Sequence, residues 1–294
     1  KRKLSKLSEK SFGFITQFDL KKKRVKLLYS IFVLLGIIIV LTAILPAVWL
    51  VFVSFFDMQS FAHRTTIIPV EASQYNFAGW KETWDQLKFI QYYINSGIVV
   101  LGSVIMAMVC NGLIAYSISM LKPKGSGVVF ALITASLMIP ATTSIVPLYV
   151  NIVNIGLMGT FTALILAYGA NAFWVILYKN FFDALPISLI EAARLDGCTD
   201  FQIFFRIVLP LSNSINMVIA MYAVNAAWSD FLLPYLVLTG SNKKTVMVRM
   251  FEFKNAESIN QIDVLRACVF AIIPPVILFC IFQKWITEGV ALTG

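Results

Sequence analysis

Charge is the scarcest thing in this chain. Only 13% of its 294 residues are Asp, Glu, Lys or Arg, whereas a soluble domain carries about a quarter. With 59% hydrophobic residues and a mean hydropathy of +0.81, most of the chain belongs in lipid. Histidine is nearly missing: His63 stands alone and cannot build a metal site. The four cysteines, Cys110, Cys198, Cys268 and Cys280, show no CxxC or metal-ligand spacing and read as small packing residues. No G-x4-G-K-[ST] sequence occurs, which excludes a P-loop ATPase. Residues 128–178 contain no charged side chain, and residues 207–242 contain one, Asp230. Carriers driven by protons or sodium need buried ionisable groups, so that class is poorly supported, as is a membrane enzyme.

What is present is apolar length. A helix crosses the hydrocarbon with about 20 apolar residues. Six segments reach that length: 27–56, 92–121, 128–152, 160–182, 207–239 and 264–284. The first is too long for the core of a cleavable signal and is expected to stay as an anchor. The reading is an all-α, polytopic membrane protein with six transmembrane helices. A basic cytoplasmic segment covers 1–26, the membrane domain 27–284, and a cytoplasmic tail 285–294.

The formal charge of +9 points to lipid rather than nucleic acid. Ten of the 24 Lys and Arg precede residue 27, as on the cytoplasmic flank of a membrane helix, where they can meet anionic lipid. With the N-terminus inside, the inner segments carry sixteen basic residues and the outer ones eight. This places both termini and the loop 183–206 in the cytoplasm. In the outer loop, Tyr75, Trp80, Trp84 and Tyr92 suit an interfacial belt or a cap against a partner. The basic residues Lys243, Lys244, Arg249 and Lys254 permit an acidic sugar or an acidic binding protein. Prolines at 46, 140, 147, 210, 234, 274 and 275 predict kinked spans around an irregular interior.

The loop 183–206 is a polar hairpin between two apolar runs. Pro186 suits the first turn of a short helix, Gly197 a left-handed C-cap, and Thr199 with Gln202 a capping box that opens a second helix. Ala192 and Ala193 are small enough for a partner backbone to approach. Glu191 and Arg194 share a face, free to pair with each other or with a partner.

The sequence Glu191-Ala192-Ala193-Arg194-Leu195-Asp196-Gly197, with Ile207-Val208-Leu209-Pro210 following, has the pattern E-A-A-x3-G-x9-I-x-L-P. This resembles the coupling loop of binding-protein-dependent ABC importer permeases. Met138-Ile139-Pro140, Val146-Pro147-Leu148-Tyr149 and Trp228-Ser229-Asp230-Phe231 resemble the carbohydrate class, similar to the smaller maltose-permease subunit. The tail Ala291-Leu292-Thr293-Gly294 departs from the family's usual ending. The resemblance implies a type I importer fold and a transport subunit without catalytic residues, cofactor or metal. It also implies a second permease subunit, two ATPase subunits that bind ATP and Mg, and an extracytoplasmic sugar-binding protein. The bacterial inner membrane is the implied location. Glu191, Ala192, Ala193, Arg194, Asp196 and Gly197 would carry the coupling. Asn171, Trp174, Asn225, Trp228 and Asp230 are candidates for the substrate path, with Asn111, Tyr116, Tyr149, Asn151 and Tyr168 as further inward-facing groups. A permease for a non-sugar solute is the alternative.

Overall fold

The computed structural model describes residues 23–62, 75–256 and 259–291; the predicted basic segment 1–26 lies almost wholly outside them, as do His63 and the last three tail residues. The chain divides into two units, Lys1–Asn76 and Phe77–Gly294. In the first, α1 (Lys23–Val53) is apolar on every side, as a lipid-facing helix must be, and carries Pro46 inside it. The short α2 (Met58–Ala62) follows. Asp57 caps it, accepting from the Ser60 N–H at 2.7 Å and the Ser60 hydroxyl at 2.8 Å, and these bonds hold its carboxyl below the usual aspartate range.

The second unit is all helix among its described residues. Its elements are α3 (Phe77–Leu87), α4 (Phe89–Leu121), α5 (Ser126–Ser136), α6 (Ala141–Asn154), α7 (Phe161–Ala167) and α8 (Ala172–Asp183). These are followed by α9 (Ile187–Leu195), α10 (Asp200–Leu211), α11 (Asn213–Ser229), α12 (Leu232–Leu238), α13 (Val246–Lys254) and α14 (Gln261–Ala291). Among the described residues, three helical stretches are singly long and apolar enough to cross a bilayer: Val25–Val53, Phe89–Leu121 and Gln261–Gln283. Three bent pairs qualify jointly, α5 with α6, α7 with α8 and α10 with α11. Counted as one crossing each they make up to six, the number expected from apolar length.

The bent pairs change the path of the predicted spans. The segment 128–152 is not one helix: α5 and α6 meet at 102°. Pro140 sits at the corner with ψ 131°, and its missing N–H cannot continue a helix. The segment 160–182 bends by 50° between α7 and α8. The segment 207–239 is bent as well, because α10 and α11 meet at 86°. It is interrupted again at Asp230, which ends α11 in an extended conformation.

Aromatic packing closes the corner where α3, α4 and α14 meet. Trp80 and Trp84 each lie 5.1 Å from Phe270, and Trp84 lies 5.4 Å from Phe89. They are half-buried between α3, α4 and α14 and bind these helices together. Arg266 fixes the same corner, pairing with Asp263 at 2.8 Å. A Cβ on Gly79 would stand 2.2 Å from its guanidinium, so the missing side chain at 79 leaves room for Arg266 where it sits.

Candidate functional site

The hairpin from Pro186 to Gln202 is rigid by local chemistry. Pro186 is the N-cap of α9 rather than its first helical residue. Gly197 has φ +81°, the left-handed conformation that ends a helix and costs a side-chain-bearing residue about 1–2 kcal/mol. The Cys198 N–H then closes back on the Ala193 carbonyl at 3.0 Å. The capping box forms in full: the Thr199 N–H donates to Gln202 Oε1 at 2.8 Å, and the Gln202 N–H to Thr199 Oγ1 at 3.4 Å. Arg194 does not pair with Glu191. Its Nη2 lies 3.0 Å from Asp200 Oδ1, a bridge across the turn. Glu191 is exposed, and among the described residues no hydrogen bond or ion pair engages it.

The two alanines do different work. Ala192 is exposed, whereas Ala193 is 5% exposed and packs inward with Ile190. Both inward residues join a core containing Tyr116, Phe182, Ile203 and Phe204. Ala193 is therefore small so that α9 can lie close on its own chain. On the outer side Leu195 is 90% exposed and Phe201 67% exposed. Neither stood out in the sequence; an apolar residue directly before a glycine-capped polar turn is the signal that marks Leu195. Glu191, Arg194, Asp196 and Gly197 are all on the exposed surface.

The hairpin is gripped by α4 and α8. Phe204 packs on Tyr116 with ring centroids 5.6 Å apart, and a Cβ on Gly112 would stand 3.1 Å from its ring. Asp183, at the start of the loop, accepts from Ser119 at 2.5 Å and pairs with Lys179 at 2.6 Å.

A second polar group lies in the membrane interior. Asn111 sits in a π-helical turn of α4, a widened turn common at functional sites. Its Oδ1 accepts the Asn171 N–H at 2.7 Å. Its Nδ2 donates to the carbonyls of Ala107 at 2.8 Å and Tyr168 at 3.2 Å. Asn171 in turn caps α8 through the Trp174 N–H at 3.1 Å. Tyr168 stacks on Trp174 at 6.3 Å, and its hydroxyl reaches Asp230 Oδ2 at 3.3 Å. Asp230 Oδ1 also accepts the Leu233 N–H at 3.4 Å, capping α12.

Three of the five path candidates, Asn171, Trp174 and Asp230, thus fall into one network with Asn111 and Tyr168. Trp228 does not join it. It is 8% exposed, its indole N–H donates to the Ala271 carbonyl at 3.2 Å, and it packs on Tyr93 at 6.1 Å. Asn225 is exposed on α11 beside Tyr222 and Ser229, in a polar stripe at helical spacing. Tyr149 is half-buried and Asn151 exposed on α6, outside the network.

The charge of the segment from Lys243 to Glu252 is largely engaged. Lys244 pairs with Glu252 at 2.7 Å, Lys243 lies over the Phe161 ring at 5.7 Å, and Arg249 over Tyr92 at 5.7 Å.

Residues 108–291 match the family model described as the binding-protein-dependent transport system inner membrane component. Curated relatives agree. The probable ABC transporter permease protein YurM of Bacillus subtilis (strain 168) is 30% identical over 248 residues, covering 84% of this chain and 81% of that protein. The diacetylchitobiose uptake system permease protein NgcG of Streptomyces coelicolor is 28% identical, with 84% and 82% covered. The melibiose/raffinose/stachyose import permease protein MelC of B. subtilis is 31% identical, with 76% and 82% covered. The fold matches a chain in the crystal structure of a bacterial ABC transporter involved in the import of alginate, with TM-score 0.77 and 21% identity over 93% of this chain and 99% of that one. A multi-helix membrane fold carrying an exposed polar hairpin, together with these matches, makes the chain a member of the binding-protein-dependent ABC transporter permease family.

Proposed function

We propose that this chain is one half of the pore of an ATP-driven importer of sugars or oligosaccharides. The observation that carries this is the hairpin. Ile190 and Ala193 anchor it inward, while Glu191 and Leu195 stand free on its outer side. A hairpin so fixed and so exposed is made to be held by another protein. Named relatives that take up diacetylchitobiose or melibiose, raffinose and stachyose support the sugar class.

In this reading two cytoplasmic ATPase subunits bind ATP and Mg and grip the hairpin through Glu191, Ala192, Arg194, Asp196 and Gly197, with Leu195 added. A second permease subunit completes the pore. An extracytoplasmic binding protein delivers the sugar. Closure of the ATPases moves α9, the spans rock outward, and hydrolysis resets them. The scarcity of ionisable groups in the spans supports an external motor as the source of work. Polar side chains in a membrane helix face a partner or a watery path, so the stripe Tyr222, Asn225 and Ser229 on α11 lines the sugar's route. The network of Asn171, Trp174 and Asp230 supports the route from behind.

The orientation is tested by Asp200→Cys in intact cells. An impermeant thiol reagent added outside should not reach it; ready labelling would place the hairpin on the wrong side. The sugar class is tested by the affinity of the binding protein encoded with this permease for neutral oligosaccharides. Binding of peptides or polyamines instead would overturn it.

A further inference from the structure

The corner between the hairpin and the fifth crossing is held by side chains outside the docking surface. Pro210 brings no N–H to α10, and Ser212 at the corner has φ −93° and ψ 27°. At such a break the backbone ladder thins to one shared donor: the Ser212 N–H reaches the Val208 carbonyl at 3.0 Å and the Leu209 carbonyl at 3.2 Å, and side chains add further donors to both carbonyls. The donors here are specific. The Ser212 hydroxyl donates to the Val208 carbonyl at 2.7 Å. Asn216, one turn into α11, reaches back across the corner, and its Nδ2 donates to the Leu209 carbonyl at 2.6 Å. Its Oδ1 accepts the Tyr178 hydroxyl of α8 at 2.9 Å. Ser212 and Tyr178 are fully buried and Asn216 is 5% exposed. One carboxamide therefore ties the last turn of α10, the first turn of α11 and the body of α8.

Packing alone does not require this. A phenylalanine at 178 and an aliphatic residue at 216 would keep α8 against α11. They would lose the side-chain link from α8 through α11 to Leu209, leaving that carbonyl with the Ser212 N–H alone. Upstream, α10 is already fixed to the hairpin by the capping box and to α4 by Phe204. Its own π-helical stretch, Phe204–Val208, widens the hydrogen-bond ladder just before the corner. Without a brace, motion of the hairpin would be absorbed there.

We infer that Tyr178 and Asn216 are positioning residues that make the α10–α11 corner rigid, so that displacement of the hairpin reaches the Tyr222–Asn225–Ser229 face of α11. The inference rests on the coupling role proposed for the hairpin. In the network the hydroxyl of Tyr178 orients the amide of Asn216, which in turn holds Leu209.

The test uses spin labels in the full complex with its partner permease and ATPases, in a cysteine-free background. One label sits at Ser188 on the hairpin and another at Asn225 on α11, each measured against a reference at Gln91. Distances are compared without nucleotide and after trapping with ATP and vanadate. Both pairs should shift in the otherwise wild-type complex. In Tyr178→Phe the Ser188 shift should remain, while the Asn225 shift falls to less than half. Asn216→Ala should do the same, and the double variant should be no worse than either single one, because both break one brace. Full shifts at Asn225 in the assembled variants would overturn the inference. So would equal loss at both labels, which would mean general damage rather than a broken joint. If Ser188 does not shift even in the parent complex, the coupling role of the hairpin itself fails, an outcome distinct from failure of the brace.

Discussion

The hairpin and the membrane network are both polar, yet they are built in opposite ways. The hairpin takes its bonds from residues within about two helical turns of one another, and it leaves Glu191 and Leu195 unengaged on its surface. The Asn111 network joins α4, α7, α8 and α12, and nearly every polar atom in it has a partner. On the exposed hairpin water satisfies whatever the turn leaves open, so the surface is free for a partner. In lipid an unsatisfied group costs several kcal/mol, so each helix break must be closed by a side chain from elsewhere in the fold. Substitutions on the exposed side of the hairpin are therefore expected to spare folding, whereas substitutions among the interior groups are not.

That contrast can be broken by substitution. The largest expected loss is at Trp228, buried and bound to Ala271. Trp228→Ala should cost about 3–5 kcal/mol of stability, so thermal unfolding in detergent and sugar uptake should fall together. Asn111→Leu should cost about 1–3 kcal/mol per group left unpaired, and the loss should again appear in both measurements. Gly197→Val should cost about 1–2 kcal/mol through backbone strain alone, because nothing lies within 4 Å of an added Cβ. Uptake should nevertheless fall more than stability does. Thr199→Ala removes the cap of α10, worth about 1 kcal/mol, and should loosen amide exchange at Gln202 without unfolding the spans. Arg194→Ala removes a half-exposed ion pair worth at most about 1 kcal/mol, so its unfolding temperature should barely move. If the hairpin variants unfold the protein as readily as the interior ones, the contrast is lost.

The hairpin was largely legible in the sequence because its determinants are contiguous. Gly197 supplies the left-handed turn, and Thr199 and Gln202 are three apart as a capping box requires. Two details were not legible. Glu191 and Arg194 have the spacing of an ion pair, but the glycine turn brings Asp200 to Arg194, and that contact is formed instead. Ala193 reads like Ala192 until tertiary packing turns it inward. In the membrane, apolar length gave the number of crossings but not their corners. The break at Asn171 is held by Asn111, sixty residues away, and the break at Ser212 by Asn216 and Tyr178. Local periodicity carries no trace of a partner so distant. Trp228, which stands in sequence beside Asp230, faces a different neighbour because α11 ends between them.

The central claim is that the outer side of the hairpin meets the ATPase. A photoactivatable cross-linker in place of Leu195, which is 90% exposed, tests it directly in the assembled complex. The account predicts a covalent adduct with the ATPase subunit whose yield changes when ATP and vanadate trap the complex. An adduct only with lipid, the second permease subunit or the binding protein would contradict it.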